Sequence, residues 1–140
     1  MTPVHCRNRH DPENGKYGDC LRACVASVLD VDYDAVPHFF ETNADVSTMT
    51  NGLRDYLATV GYAPFYVSYS GAVSRDDLLS MIGENAPNAT YILFVGLAGG
   101  TDHAVVCQGG AVVHNPQWYP IPIVGPPSSG DWIVLLVTRA

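Results

Sequence analysis

A cysteine, a histidine and an amide side chain can together break an acyl bond, and this chain carries all three in a suggestive order. Cys20 lies in residues 18–30, GDCLRACVASVLD. The segment reads as a helix with the cysteine in its first turn. Backbone N–H groups there have no helical partner, and their partial positive charge favours a thiolate. A thiolate nucleophile also needs a base, a residue that orients the base, and donors for an oxyanion. Asp19 works against the thiolate, because a neighbouring carboxylate disfavours a second negative charge. A histidine partner is therefore required. His103 is the best candidate: it opens a strand after the small-residue loop Ala98-Gly99-Gly100, where a ring can reach a cleft edge.

The orienting residue should stand on the next strand, within residues 102–116, DHAVVCQGGAVVHNP. Register decides which residue that is. A two-residue loop at Gly109-Gly110 would pair Gln108 with Ala111 and turn His103 and Asn115 to opposite faces. A three-residue loop with a bulge would pair Cys107 with Ala111 and set His103 opposite Asn115. The adjacent glycines supply the left-handed position such a loop needs, so the bulged register is the expectation.

The elements that must position these residues follow from periodicity. Asp19 is the expected N-cap of a first helix over residues 20–29. Leu21, Cys24, Val25, Val28 and Leu29 form its core stripe. Cys24 therefore reads as a small buried hydrophobe, while Cys20 lies off the stripe. Residues 1–17 read as an irregular arm. Residues 31–45 form a connection broken by Pro37 and packed down by Val36, Phe39 and Phe40. A second helix starts at Ser47 or Thr48 and buries Met49, Leu53, Tyr56, Leu57 and Val60, with Gly61 at C′. Residues 64–69 are strand-like. Ser74 and Asp77 resemble a capping box opening a short helix through Leu78, Leu79 and Ile82, ended by Gly83 and Pro87. Strands follow at 90–97, 102–108, 111–114 and 132–138, with a loop holding four prolines (Pro120, Pro122, Pro126 and Pro127) over 117–130. Helices first and an antiparallel sheet after is the α+β pattern, and 140 residues fit a single domain, 1–140.

Composition narrows the function classes. The formal charge is −7, with Lys16 the one lysine beside six arginines. Such a surface suits neither a phosphate backbone nor anionic head groups, which argues against nucleic-acid and membrane partners. The longest apolar runs, 91–95 and 132–137, are too short to span a bilayer, and residues 1–15 are polar. A cytoplasmic protein is expected. Its four cysteines (6, 20, 24 and 107) then read as thiols, ligands or a nucleophile rather than disulfides.

GDCLRACVASVLD resembles the nucleophile segment of papain-like cysteine peptidases, and is closest to the bacteriocin-processing peptidase domains of ABC exporters. HAVVC…VVHNP is similar to their downstream segment, in which a histidine opens a strand and an Asp or Asn before Pro follows on the next. Similar short domains occur in phage and prophage genomes, which for a phage protein would mean the host cytoplasm. The resemblance implies a minimal papain-like fold, with an N-terminal helix packed on an antiparallel sheet of four to six strands. It makes Cys20 the nucleophile, His103 the base and Asn115 the orienter. The family's oxyanion glutamine, six residues before the cysteine, is Asn14 here, with the same amide on a shorter stem. Leu21 stands where the exporter peptidases usually have Gly. The implied activity is a cysteine-nucleophile hydrolase of peptidase or amidase type, acting on a peptide, an isopeptide or a small amide, with no cofactor.

Two other readings stand beside it. Cys6-x3-His10 and Cys20-x3-Cys24 offer four zinc-type ligands and would make a zinc-stabilised binding module. A catalytically inactive papain-like interaction domain would keep the fold with an unreactive Cys20. Alone, Cys107 reads as a packed thiol and His38 as a loop histidine.

Overall fold

A computed structural model describes residues 1–40, 45–119 and 121–140. The elements run α1 (Cys20–Leu29), α2 (Val46–Thr59), β1 (Tyr62–Tyr69), α3 (Arg75–Asn85), β2 (Thr90–Leu97), β3 (Asp102–Gln108), β4 (Ala111–His114), β5 (Ile123–Gly125) and β6 (Trp132–Arg139). Single 3-10 turns occur at Pro12–Asn14 and Tyr33–Ala35. This is the α+β class. The strand order is β1-β6-β2-β3-β4, with β5 beside β2. β2 pairs antiparallel with β3, β5 and β6, and β3 pairs antiparallel with β4.

The described residues divide into two compact units. The first holds Met1–Phe65, Pro116–Trp118 and Val137–Ala140. The second holds Tyr66–Asn115 and Tyr119–Leu136.

In the first unit, α1 forms over the predicted residues. Leu21, Cys24 and Val25 are buried as the stripe requires. Ala23, Ala26 and Ser27 are buried too, so the helix is enclosed beyond one face, while Val28 and Leu29 stay half-buried. Asp19 does stand at the N-cap, but its side chain makes no capping hydrogen bond. Helix α2 starts earlier than expected: Asp45 is its N-cap, accepting from the Ser47 N–H at 3.1 Å. It buries Met49, Leu53 and Leu57, and Tyr56 lies 6.3 Å from the buried Phe39 ring. Val60 is exposed instead of buried, at the C-cap, and Gly61 follows in a left-handed conformation (φ 86°). Val36 is buried and Phe40 half-buried; residues 41–44 of the connection, like Pro120, lie outside the described residues.

In the second unit, α3 lays Leu78, Leu79 and Ile82 on the sheet, against Tyr91, Leu93, Val105, Cys107 and Trp132 among others. The Ser74 hydroxyl caps it by accepting from the Asp77 N–H at 3.1 Å. The helix continues through Gly83 to Asn85, so Gly83 does not end it. Gly83 is instead a contact: a Cβ there would stand 2.9 Å from the Gly110 Cα and N. β2 is the central strand, as its unbroken apolar run requires. The proline-containing stretch includes β5, which sets Gly125 opposite Gly96. Ser128 ties that stretch to the start of β3, its N–H and hydroxyl donating to the Asp102 carboxylate at 2.8 and 2.5 Å.

The β3–β4 hairpin corrects the expected register. Gln108 pairs with Ala111 and Cys107 with Val112, so the loop has two residues. Gly109 alone takes a positive φ (55°), as in a type II′ turn. The expected three-residue loop is prevented by its surroundings. The Gly109 N–H donates to the Ala89 carbonyl at 2.9 Å, and the Tyr91 hydroxyl donates to the Gly109 carbonyl at 2.7 Å. A bulge does form, but further along: between Cys107 and Val106 the register shifts, and Val106 faces His114. Val113 is the extra residue.

Candidate active site

The bulge decides which side chains meet. Paired residues share a face, so His114 shares that of Val106. Asn115, the next residue, then comes to the face of Val105 and His103. Without the extra residue the parity would be reversed. His103 and Asn115 are accordingly diagonal neighbours rather than directly opposed, and they touch: His103 Nε2 lies 2.9 Å from Asn115 Oδ1. An amide oxygen only accepts, so Nε2 carries the hydrogen and donates. In the neutral ring the lone pair is then on Nδ1. His103 is 4% exposed. Burial holds its pKa below the ordinary 6.5, and the Asn115 hydrogen bond opposes that shift in part. At neutral pH the ring is therefore an unprotonated base.

Cys20 belongs to the first unit, half-buried in the first turn of α1. The three residues before it are held by side chains remote in sequence. His38 Nε2–H donates to the Tyr17 carbonyl at 2.9 Å, and His38 Nδ1 accepts from the Phe40 N–H at 3.3 Å. His10 Nδ1 accepts from the Gly18 N–H at 3.1 Å. Asp19, 1% exposed, turns its carboxylate away from the helix. It accepts from the Arg7 N–H at 2.9 Å, the Asn8 N–H at 3.2 Å and the Tyr33 hydroxyl. The Arg7 and Arg22 guanidinium groups lie over the Tyr33 ring, 4.0 and 3.9 Å from its centroid. Burial and the Asp19 carboxylate push the Tyr33 hydroxyl up to about 12, so it remains a donor.

This carboxylate hub is what sequence reasoning missed. Its partners lie eleven to fourteen positions away, beyond any local capping pattern, and Asp19 before a helix satisfied the N-cap rule. Cys6 and His10 also gain a place: His10, with the Arg7 and Asn8 N–H groups that follow Cys6, holds the arm against the segment leading to Cys20. Cys6 is fixed by its backbone as well, donating its N–H to the Pro116 carbonyl and accepting from Trp118 Nε1, both at 2.9 Å.

The remaining predicted residues fall as follows. Asn14 sits exposed in the Pro12–Asn14 turn, its amide donating to Asp11 at 2.7 Å. Cys24 and Cys107 are fully buried core thiols. Burial pushes the Cys107 thiol up to about 12. The zinc reading is not matched by the geometry. Among the described residues no three of His, Cys, Asp and Glu are grouped to hold a metal ion, so Cys6, His10, Cys20 and Cys24 do not form a ligand set. Cys24 is enclosed in α1, and His10 Nδ1 is engaged with Gly18. Among the described residues, no helix is long and apolar enough to cross a membrane.

No family model, no curated protein and no solved structure matches the chain.

Proposed function

We propose that the chain is a cysteine-nucleophile hydrolase of papain-like peptidase or amidase type. The observation that carries this reading is the His103–Asn115 hydrogen bond, which fixes the tautomer that leaves Nδ1 basic. In the proposed reaction His103 Nδ1 takes the Cys20 proton. The thiolate attacks the carbonyl carbon of an amide, peptide or isopeptide bond. The C–N bond breaks as the imidazolium returns its proton to the leaving amine. Water, deprotonated by the same imidazole, then attacks the thioester; the acid leaves and Cys20 is restored. Asn115 keeps the ring oriented through both steps.

Two local features favour Cys20 as the nucleophile. It is only half-buried, unlike Cys24 and Cys107. Asp19, directed to Arg7, Asn8 and Tyr33, does not cap the first turn of α1, whose N–H groups are the proposed oxyanion donors. Asn14, engaged with Asp11, is not assigned a part in them.

Iodoacetamide labelling of wild type and His103→Ala across pH tests the dyad. Rapid labelling of Cys20 near neutral pH that slows sharply in the variant is the expected result. Equal rates in the two proteins would overturn the reading.

A further inference from the structure

Four cysteines are present, and two of them share a carboxylate neighbourhood that the hydrolase reaction does not use. Cys24 and Cys107 are wholly buried; Cys6 and Cys20 are half-buried. Residues Arg7 and Asn8 bind the Asp19 carboxylate through their backbone N–H groups. Cys6 immediately precedes them, and Cys20 immediately follows Asp19. The Asp19 and Cys20 charges both act on the Cys6 thiol. The arm is therefore laced across the start of α1, and the two cysteines adjoin the residues that make this link. Cys6 cannot drift from this place, because its N–H and its carbonyl are both tied to the 116–118 segment.

We propose that Cys20 is an oxidation site and Cys6 its resolving thiol, the pair closing reversibly to a disulfide that masks the nucleophile. The proposal rests on the reading of Cys20 as the reactive thiol, and its oxidant is hydrogen peroxide. In the first step the Cys20 thiolate attacks one peroxide oxygen. An S–O bond forms, the O–O bond breaks, and hydroxide leaves to become water, so sulfur is oxidised to sulfenic acid. In the second step the Cys6 sulfur attacks the Cys20 sulfur. An S–S bond forms, the S–O bond breaks, and the Cys6 proton goes to the departing hydroxide, which leaves as water. Two thiols and one peroxide give one disulfide and two waters.

The electrostatics match this order of events. In the reduced protein burial, the neighbouring Cys20 charge and the Asp19 charge all raise the Cys6 thiol. Cys6 thus stays protonated and leaves Cys20 as the first thiol to react. Once Cys20 is an uncharged sulfenic acid, its share of that repulsion is gone, and Cys6 becomes the better nucleophile at the moment it is needed.

The test is peptide mapping by mass spectrometry of the intact chain after peroxide treatment and alkylation without reductant. A Cys6–Cys20 linked peptide, two hydrogens lighter than the two thiol peptides, is expected. Iodoacetamide labelling of Cys20 should be lost with it and return with dithiothreitol. In Cys6→Ser, which removes the resolving thiol and keeps a side chain of similar size, peroxide should drive Cys20 to sulfinic acid that dithiothreitol does not reverse. Wild-type Cys20 that becomes sulfinic acid while Cys6 stays alkylatable overturns the proposal. So does Cys20 linked to Cys24 or Cys107, or Cys20 unchanged by peroxide. The His103→Ala labelling comparison is separate: a Cys6–Cys20 link with equal labelling rates would keep the disulfide and remove the hydrolase.

Discussion

Asp19 shows what a single residue can hide from sequence reading. An Asp before an apolar stripe is the ordinary mark of a helix N-cap, and the helix did begin where the mark stands. The carboxylate nonetheless serves the arm instead of the helix. Three donors from residues 7, 8 and 33 converge on it, and a buried acceptor with that many donors is costly to remove. Asp19→Ala would leave two backbone N–H groups and a hydroxyl without their acceptor. We expect a stability loss of about 3 kcal/mol or more in urea unfolding. Tyr33→Phe removes one donor and leaves the acceptor well supplied, so its loss should be about 1 kcal/mol. A cost for Asp19→Ala no larger than that for Tyr33→Phe would show that the hub does not hold the arm. Cys20 was legible at this scale because its place in the first turn is a local property. Cys6 and His10 were not, since what they touch lies in the fold and not in their neighbours along the chain.

At the scale of elements, β2, β3, β4 and β6 were legible almost to the residue, because their apolar runs and bounding glycines are local; β5 lies in the stretch read as a loop and was not. Strands β2, β3 and β4 cover the predicted positions. The place of the bulge was not legible, because it is set by what the hairpin loop packs against. Gly109 and Gly110 lie against Pro87, Leu79 and Gly83, where no side chain fits: a Cβ on Gly109 would be 2.5 Å from the Pro87 carbonyl oxygen. The tight loop is thereby fixed, and the extra residue needed to bring Asn115 to the His103 face moves to Val113. Gly83 tests this account. In a helix interior, alanine is favoured over glycine by about 1 kcal/mol. Here the added methyl would push the Gly110 backbone, so Gly83→Ala should destabilise by about 1–2 kcal/mol. Gly125→Ala is the control: among the described residues, no atom beyond its chain neighbours lies within 4 Å of its Cβ position, and the change should stay within about 0.5 kcal/mol. Urea midpoints of the two variants decide it. A stabilised Gly83→Ala would mean that the loop yields and does not fix the register.

For the whole molecule the relevant quantity is the dependence of stability on pH, where two effects have opposite sign. The chain carries a net charge of −7 and has a pI near 4.9. Lowering the pH toward the pI relieves self-repulsion and favours the folded state. His103 works the other way. Its pKa is depressed by burial, so below the ordinary value of 6.5 the unfolded chain takes up a proton that the folded chain refuses. The stability it contributes is complete above 6.5 and is lost as pH falls through the lower folded value. The slope in that window is at most about 1.4 kcal/mol per pH unit. The Asn115 hydrogen bond narrows the window by raising the folded value in part. At 0.15 M salt the surface term is screened over about 8 Å, and it is common to wild type and to a variant at this one position. Urea unfolding at pH 7.5, 6.5 and 5.5 of wild type and His103→Gln therefore isolates the buried ring. Wild type should lose stability between 6.5 and 5.5 relative to the variant, by up to roughly 1 kcal/mol, with parallel behaviour between 7.5 and 6.5. Profiles that stay parallel down to pH 5.5 would mean that His103 takes its proton as readily folded as unfolded. The ring would then be solvated rather than enclosed against Asn115, and the hydrogen bond that fixes its tautomer would lose its sheltered setting.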